Sequence, residues 1–349
     1  MKPQSVTLSL LLASFAAAQA PQVAVSIGIR ETGFAGQPFT TIGDNGATTG
    51  GIEWINLDGQ MLTLDGTWQF FSFNLANDPV TAFAGASANG VIEGGWGTLE
   101  HIRILNSQGY TGPISLWIDD VSNTITPTGG SPTTTVFGTF DPYANGAEVM
   151  FQEPSFSGST SGNILAGSTS GVDNFVASRT PSCRCDFSFL DATPTRWVRL
   201  TTFNTISQRN PLVRFDQSST IGFWLRGGVR QPDLGSQGPG AAIAEMVGTG
   251  LNLGQTSTYY AGNIASGNPG AFLLSLPNNP DLAIFGGNLV SFGGLLAAVS
   301  VSADANGRLV LPITGSPALV DVVIQSVFFD AGQPQLLTFT NAVMAQFGR

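Results

Sequence analysis

Apolar residues in this chain come in short alternating runs, and each run is closed within a few residues by Gly, Pro, Asn or Asp. Runs of that kind form strands, because side chains two apart share one face of a β-strand; an amphipathic helix needs a longer three-and-four spacing. Composition agrees. Of 349 residues, 44 are Gly and 20 Pro, and 42% are hydrophobic against 10% charged, which is rich in turn formers yet too apolar for disorder. The expectation is an all-β chain, long enough for about two or three domains.

The N-terminus departs from this pattern. Met1 and Lys2 precede an apolar stretch from Val6 to Ala18, broken only by Thr7, Ser9 and Ser14, and small residues follow to Ala20. Residues 1–20 read as a secretory signal peptide. Cleavage after Ala18 is favoured over Ala20, since Pro21 would directly follow the second cut. The stretch is shorter than the roughly 20 apolar residues a membrane span needs, and no other stretch qualifies. The expected location is secreted or at the cell surface, with no integral membrane segment after signal removal.

Net charge is −10, and Lys2 is the only lysine. Sequence-independent nucleic-acid affinity comes from basic patches, so nucleic acid is not an expected partner. The two cysteines, Cys183 and Cys185, stand two apart. On a strand their Cα atoms lie about 6.5–7 Å apart, the far limit for a disulfide, which leaves a strained bridge or two free thiols. Zinc would need further Cys or His ligands, and His101 is the only histidine.

Two Gly/Pro/Ser/Thr-rich stretches, 124–135 and 231–240, read as linkers. They divide the mature chain into 21–123, 136–230 and 241–349. Strand-like runs in the first part include Val23–Arg30, Ile52–Leu57, Thr67–Leu75, Glu100–Leu105 and Pro113–Val121, with a turn cluster at Gly43–Gly46. The second part, with runs including Asn174–Ser178, Thr195–Phe203 and Thr220–Arg226, echoes the first, which predicts a tandem pair of sandwich modules. In the third, Leu296–Ser302 and Arg308–Ile313 flank Asp304-Ala305-Asn306-Gly307, a hairpin signal. This part reads as a smaller C-terminal β-sandwich. It loosely resembles a terminal module of exported bacterial proteins, which implies surface display or assembly with other cell-surface proteins.

Alternation sorts each run into an inner and an outer face. In the first part, Phe71, Phe73, Ile102, Ile104, Leu116 and Ile118 point inward, which turns Trp68, Phe70, His101, Arg103, Trp117 and Asp119 outward. In the second, Trp197, Arg199, Trp224 and Arg226 point outward. Aromatic rings beside hydrogen-bonding groups suit a sugar, whose C–H face stacks on indole while its hydroxyls meet Arg, Asp and amides. The same tryptophans also suit packing beneath a loop or against a neighbouring module.

The pattern Thr67-Trp68-Gln69-Phe70-Phe71-Ser72-Phe73-Asn74-Leu75, then Glu100-His101-Ile102-Arg103-Ile104, then Ser115-Leu116-Trp117-Ile118-Asp119-Asp120-Val121 resembles the galactose-binding-like jelly-roll family of carbohydrate-binding modules. The resemblance implies a jelly-roll sandwich, a polysaccharide or glycan ligand, and a structural calcium near the last strand with Asp120 as a ligand. Signals for catalysis are sparse. No Gly-x-Ser-x-Gly elbow occurs, a Ser-His-Asp arrangement would have to use His101, and Glu53, Glu93, Glu100, Glu148 and Glu153 show no pairing. The expected function is non-catalytic glycan binding. A structural or adhesive envelope protein is the alternative, and a polysaccharide-active enzyme the third.

Overall fold

The structure, a computed structural model, describes residues 20–31, 51–93, 95–174, 179, 181–203, 210–214, 218–235 and 238–348. The signal-peptide run to residue 19, the Gly43–Gly46 turn and positions 175–178 lie outside the described residues. The chain is all-β: strands are numbered β1 to β22 in chain order, and a single 3-10 turn, Phe292–Gly294, is the helical element among the described residues. None of those residues forms a helix long and apolar enough to cross a membrane.

Sheet one has the order β10 (Trp197–Thr201), β5 (Trp96–Leu105), β1 (Gln22–Glu31), β2 (Ile52–Thr63), β4 (Val80–Ala84), and β11 (Leu212–Arg214) also pairs with β5. Sheet two runs β19 (Leu309–Thr314), β14 (Thr256–Gly262), β13 (Ile243–Gly248), β12 (Thr220–Arg230), β6 (Ile114–Ile125), β9 (Ser182–Phe187), β8 (Thr169–Asp173). Onto it β3 (Asp65–Asn74) adds beside β12, and β7 (Thr133–Gly138) beside β6. Sheet three is β18 (Leu295–Ser302), β15 (Pro269–Ser275), β20 (Val320–Phe329), β21 (Leu337–Phe339), with β22 (Val343–Phe347) beside β20. A small hairpin, β16 (Leu282–Ile284) with β17 (Gly287–Leu289), completes the set.

The inner faces of sheets one and two share one core that includes Val25, Ile27, Ile102, Ile104, Phe71, Phe73, Leu116, Ile118, Val198 and Phe223. Each such side chain contributes about 1.5–3 kcal/mol by leaving water. Residues from both of the first two sequence segments build this core, so the cut at 124–135 does not separate two modules. That stretch is the hairpin between β6 and β7, where Thr133 to Gly138 pairs back onto Ile125 to Val121. The echo between segments also has a spatial counterpart: β3 and β12 are neighbours, with Phe70 opposite Trp224 and Trp68 opposite Arg226. Gly/Pro-rich composition marks a turn, and a turn inside a sheet looks the same in sequence as a linker between domains.

The last segment does have its own core, including Met246, Tyr259, Phe272, Ile324 and Phe328, between sheet three and the β13, β14 and β19 end of sheet two. Sheet two is therefore a wall common to both sandwiches. The Asp304–Gly307 turn is formed, with Asp304 Oδ1 accepting the Asn306 and Arg308 N–H groups. It links strands of different sheets, however: β18 pairs with β15, and β19 with β14. Cys183 and Cys185 are two free, buried thiols that point into the main core from β9.

One glycine shapes sheet one. On the outer face of β1, Gly28 lies opposite both Trp54 and His101. A Cβ there would sit 1.9 Å from His101 Cε1, so the imidazole occupies the space that a side chain would take. Replacement Gly28→Ala is expected to cost about 2 kcal/mol by overpacking. In urea denaturation, the same change in a His101→Ala background should cost much less.

Candidate functional site

The outward residues regroup by sheet rather than by sequence segment. His101 and Arg103 on β5 join Trp197 and Arg199 on β10 over sheet one. Trp68 and Phe70 on β3, Trp117 and Asp119 on β6, and Trp224 and Arg226 on β12 lie together over sheet two. Because the inner faces of the two sheets meet in one core, these groups stand on opposite sides of the sandwich. The single face of Trp68, Phe70, His101, Arg103, Trp117 and Asp119 expected from sequence does not exist. Alternation tells inner from outer but does not say to which sheet a strand belongs.

The sheet-one group is filled by its own side chains. Trp54 stacks on Phe83 with ring centroids 4.2 Å apart, and Trp197 meets both rings edge-on. The Arg103 guanidinium lies 5.0 Å from the Trp54 ring and 5.5 Å from Trp197, and it donates to the Leu57 carbonyl at 2.9 Å. His101 is fully buried. Trp54 Nε1–H donates to its Nε2 at 3.0 Å, and Arg199 Nε approaches its Nδ1 at 3.1 Å. A neutral imidazole has one accepting nitrogen, so only one of these contacts is a hydrogen bond. Burial, followed by the charges of Arg199, Arg103 and Arg30, holds the ring well below its usual pKa. Glu100 anchors both Arg30 and Arg199. This is a packed aromatic–arginine layer.

On sheet two, the row of Trp68, Arg226 and Trp117 is covered. Trp117 is fully buried, with the Arg226 guanidinium 4.7 Å and the Arg184 guanidinium 5.3 Å from its ring. Its Nε1–H donates to Asp173 Oδ2 at 2.8 Å. Val247 and Tyr260 of the C-terminal sandwich pack against it together with Trp68, and Arg226 Nη2 donates to the Tyr260 hydroxyl at 3.0 Å. Trp117 is therefore part of the joint between sandwiches. Arg184 also binds Asp186 at 2.9 Å, Asp173 at 3.5 Å and, most closely, Glu245 on β13.

The next row stays open. Phe70, 54% exposed, lies beside Trp224 with centroids 5.3 Å apart, and both are in register with Asp119. Gly222 leaves room beneath the Phe70 ring, since a Cβ there would lie 2.8 Å from Phe70 Cζ. The Arg179 guanidinium sits 4.6 Å from the Trp224 ring, 3.4 Å from Asp119 and in closer contact with Asp120. Asp119 Oδ1 is enclosed without a hydrogen-bond partner. Burial, with Asp120 and Asp141 nearby, pushes the Asp119 carboxyl up to about 6. The result is a platform of two rings tilted by 56°, with Phe70 exposed, the Arg179 guanidinium over Trp224, and carboxylates and the exposed Ser72 at the border.

Asp120, the expected calcium ligand, is paired with Arg179, which supplies the positive charge at this position. No three His, Cys, Asp or Glu side chains gather for an ion among the described residues. Phe70, Trp224, Asp119 and Asp120 were legible as single residues; their meeting with Arg179 was not, because it depends on strand register and on a loop. Arg184 and Glu245 carried no sequence signal of their own.

Two carboxyls give the fold a pH dependence. One guanidinium cannot neutralise three carboxylates: burial pushes Glu245 up to about 7, whereas Arg184 and Arg230 outweigh burial at Asp186 and hold it low. Asp119 and Glu245 thus bind protons more tightly folded than unfolded, where their usual values are 3.8 and 4.5. Their contribution to stability is present at low pH and is lost as pH rises through that window to about 7. Denaturation midpoints measured across this range should show the decline in the wild type and a shallower one in Glu245→Gln.

Comparison of the chain with protein-family models, curated proteins and solved structures finds no match.

Proposed function

We propose that this chain is a non-catalytic, exported glycan-binding protein whose binding surface is the Phe70–Trp224 platform. The observation that carries this reading is the pair of adjacent rings, one of them 54% exposed, in register with the under-bonded Asp119 carboxylate. A sugar ring laid on the exposed Phe70, against the edge of Trp224, would direct hydroxyls toward Asp119, Asp120, Arg179 and Ser72, which supply acceptors and donors together. The apolar N-terminal run supports export. Both carboxylates of the platform are paired with Arg179, and the only histidine lies buried on the other side of the sandwich. That arrangement favours holding a ligand over proton transfer.

A structural or adhesive role with no small ligand is favoured by a different observation, the burial of Trp117 in the joint. Affinity electrophoresis of the mature protein against a panel of soluble polysaccharides separates the two readings. Glycan binding predicts retardation by at least one polysaccharide, weakened about tenfold in Trp224→Ala and in Phe70→Ala, roughly 1.4 kcal/mol for a lost stacking partner. Both positions are only partly buried, so circular dichroism should show an intact fold. Absence of retardation across the panel rejects the glycan reading and leaves the structural one.

A further inference from the structure

Beside the joint a second feature opens. A cleft of about 360 Å³ lies between the outer face of β8 and β9 and the wall made by β13 and residues 341–343. Its volume is at the lower end of the range for small-molecule sites, about 300–1,000 Å³. Most polar groups here are used within the protein. Arg184 contacts Asp173, Asp186, Glu245 and Ser115, and Asp173 also accepts from Trp117.

Three groups along the cleft retain bonding capacity. Glu245 Oε1 is enclosed and has no partner. The Arg230 guanidinium, about a third exposed, has a single 3.6 Å contact, to Asp186. Gln231 accepts the Gln346 N–H through Oε1, which leaves its amide N–H groups free. An unpaired enclosed oxygen costs about 1–3 kcal/mol, and a ligand that meets it recovers that cost.

Charge narrows the ligand class. Arg184 already stands among the carboxylates, and no metal-holding group exists among the described residues. With Glu245 protonated, two guanidiniums still face three carboxylates, Asp173, Asp186 and Asp233, so a strong anion is disfavoured, while Arg184 already takes the place a cation would hold among them. A hydroxyl donates to Glu245 when it is ionised and accepts from it when protonated, and it also accepts from Arg230 or Gln231. The partly exposed Ile243 side chain adds an apolar patch to the wall.

We propose that this cleft is a second binding site, taking one neutral sugar unit or the end of a glycan chain. The proposal shares the glycan class with the platform reading but uses none of its residues.

The test is saturation-transfer NMR with glucose, galactose, mannose and N-acetylglucosamine on the wild type, Trp224→Ala, Arg230→Ala and Ile243→Trp. Ile243 is partly exposed, so the larger ring obstructs the cleft without entering the core. Expected is a signal from at least one sugar that persists in Trp224→Ala and falls about tenfold in both cleft variants. No signal from any sugar, or a signal untouched by Arg230→Ala and Ile243→Trp, overturns the cleft site. A signal lost only in Trp224→Ala overturns it as well, while the platform reading stands. Persistence of the cleft signal without polysaccharide retardation would reject the platform alone.

Discussion

The indole of Trp117, held between the guanidinium groups of Arg184 and Arg226, is the contact on which the rest of the molecule depends. Each partner of that ring has a second role. Arg226 reaches Tyr260, Arg184 reaches Glu245, and Asp173, which accepts the indole N–H, also binds Arg184. Stacking on both faces and a hydrogen bond at the edge give a flat aromatic group one orientation, in a site where water is excluded. The C-terminal sandwich is seated on that ring. Its position leaves the Phe70 and Trp224 row open and sets one wall of the neighbouring cleft.

Strands, turns and inner faces could be read from the chain alone. Ile102, Ile104, Leu116, Ile118, Phe71, Phe73, Val198 and Phe223 are all buried in one core, as period-two alternation required. Sheet membership was hidden. Nothing in the residues around His101 and Trp117 reveals that they face opposite directions, because that depends on β5 joining β1 and β10 while β6 joins β12 and β9. Pairing between strands distant in sequence is set by the whole core, and a single strand carries no record of it. The loss extended to the domain cut at 124–135, where a hairpin resembled a linker.

Gly28 shows what a more attentive sequence reading could recover. A glycine within an otherwise apolar strand weakens it, and such a residue usually marks a place where another group approaches closely. Here the approaching group is the imidazole of His101. The glycine and the chain's only histidine are thus explained by each other, and both by the aromatic layer over sheet one. Asp119 is a different case. Its under-bonded oxygen arises from the neighbouring carboxylates and Arg179, a combination that no local spacing encodes.

The seam along sheet two has a further consequence. Between β12 and β13 only two residue pairs are in register, Val229 with Gly248 and Arg230 with Val247. Two rungs of backbone pairing make a good pivot and a poor brace. Torsional stiffness about this line must come from side chains, from the Arg226–Tyr260 contact on one flank and the Arg184–Glu245 pair on the other. A glycan chain spanning platform and cleft would bind both sides of the pivot, and its tension would bear on those two contacts.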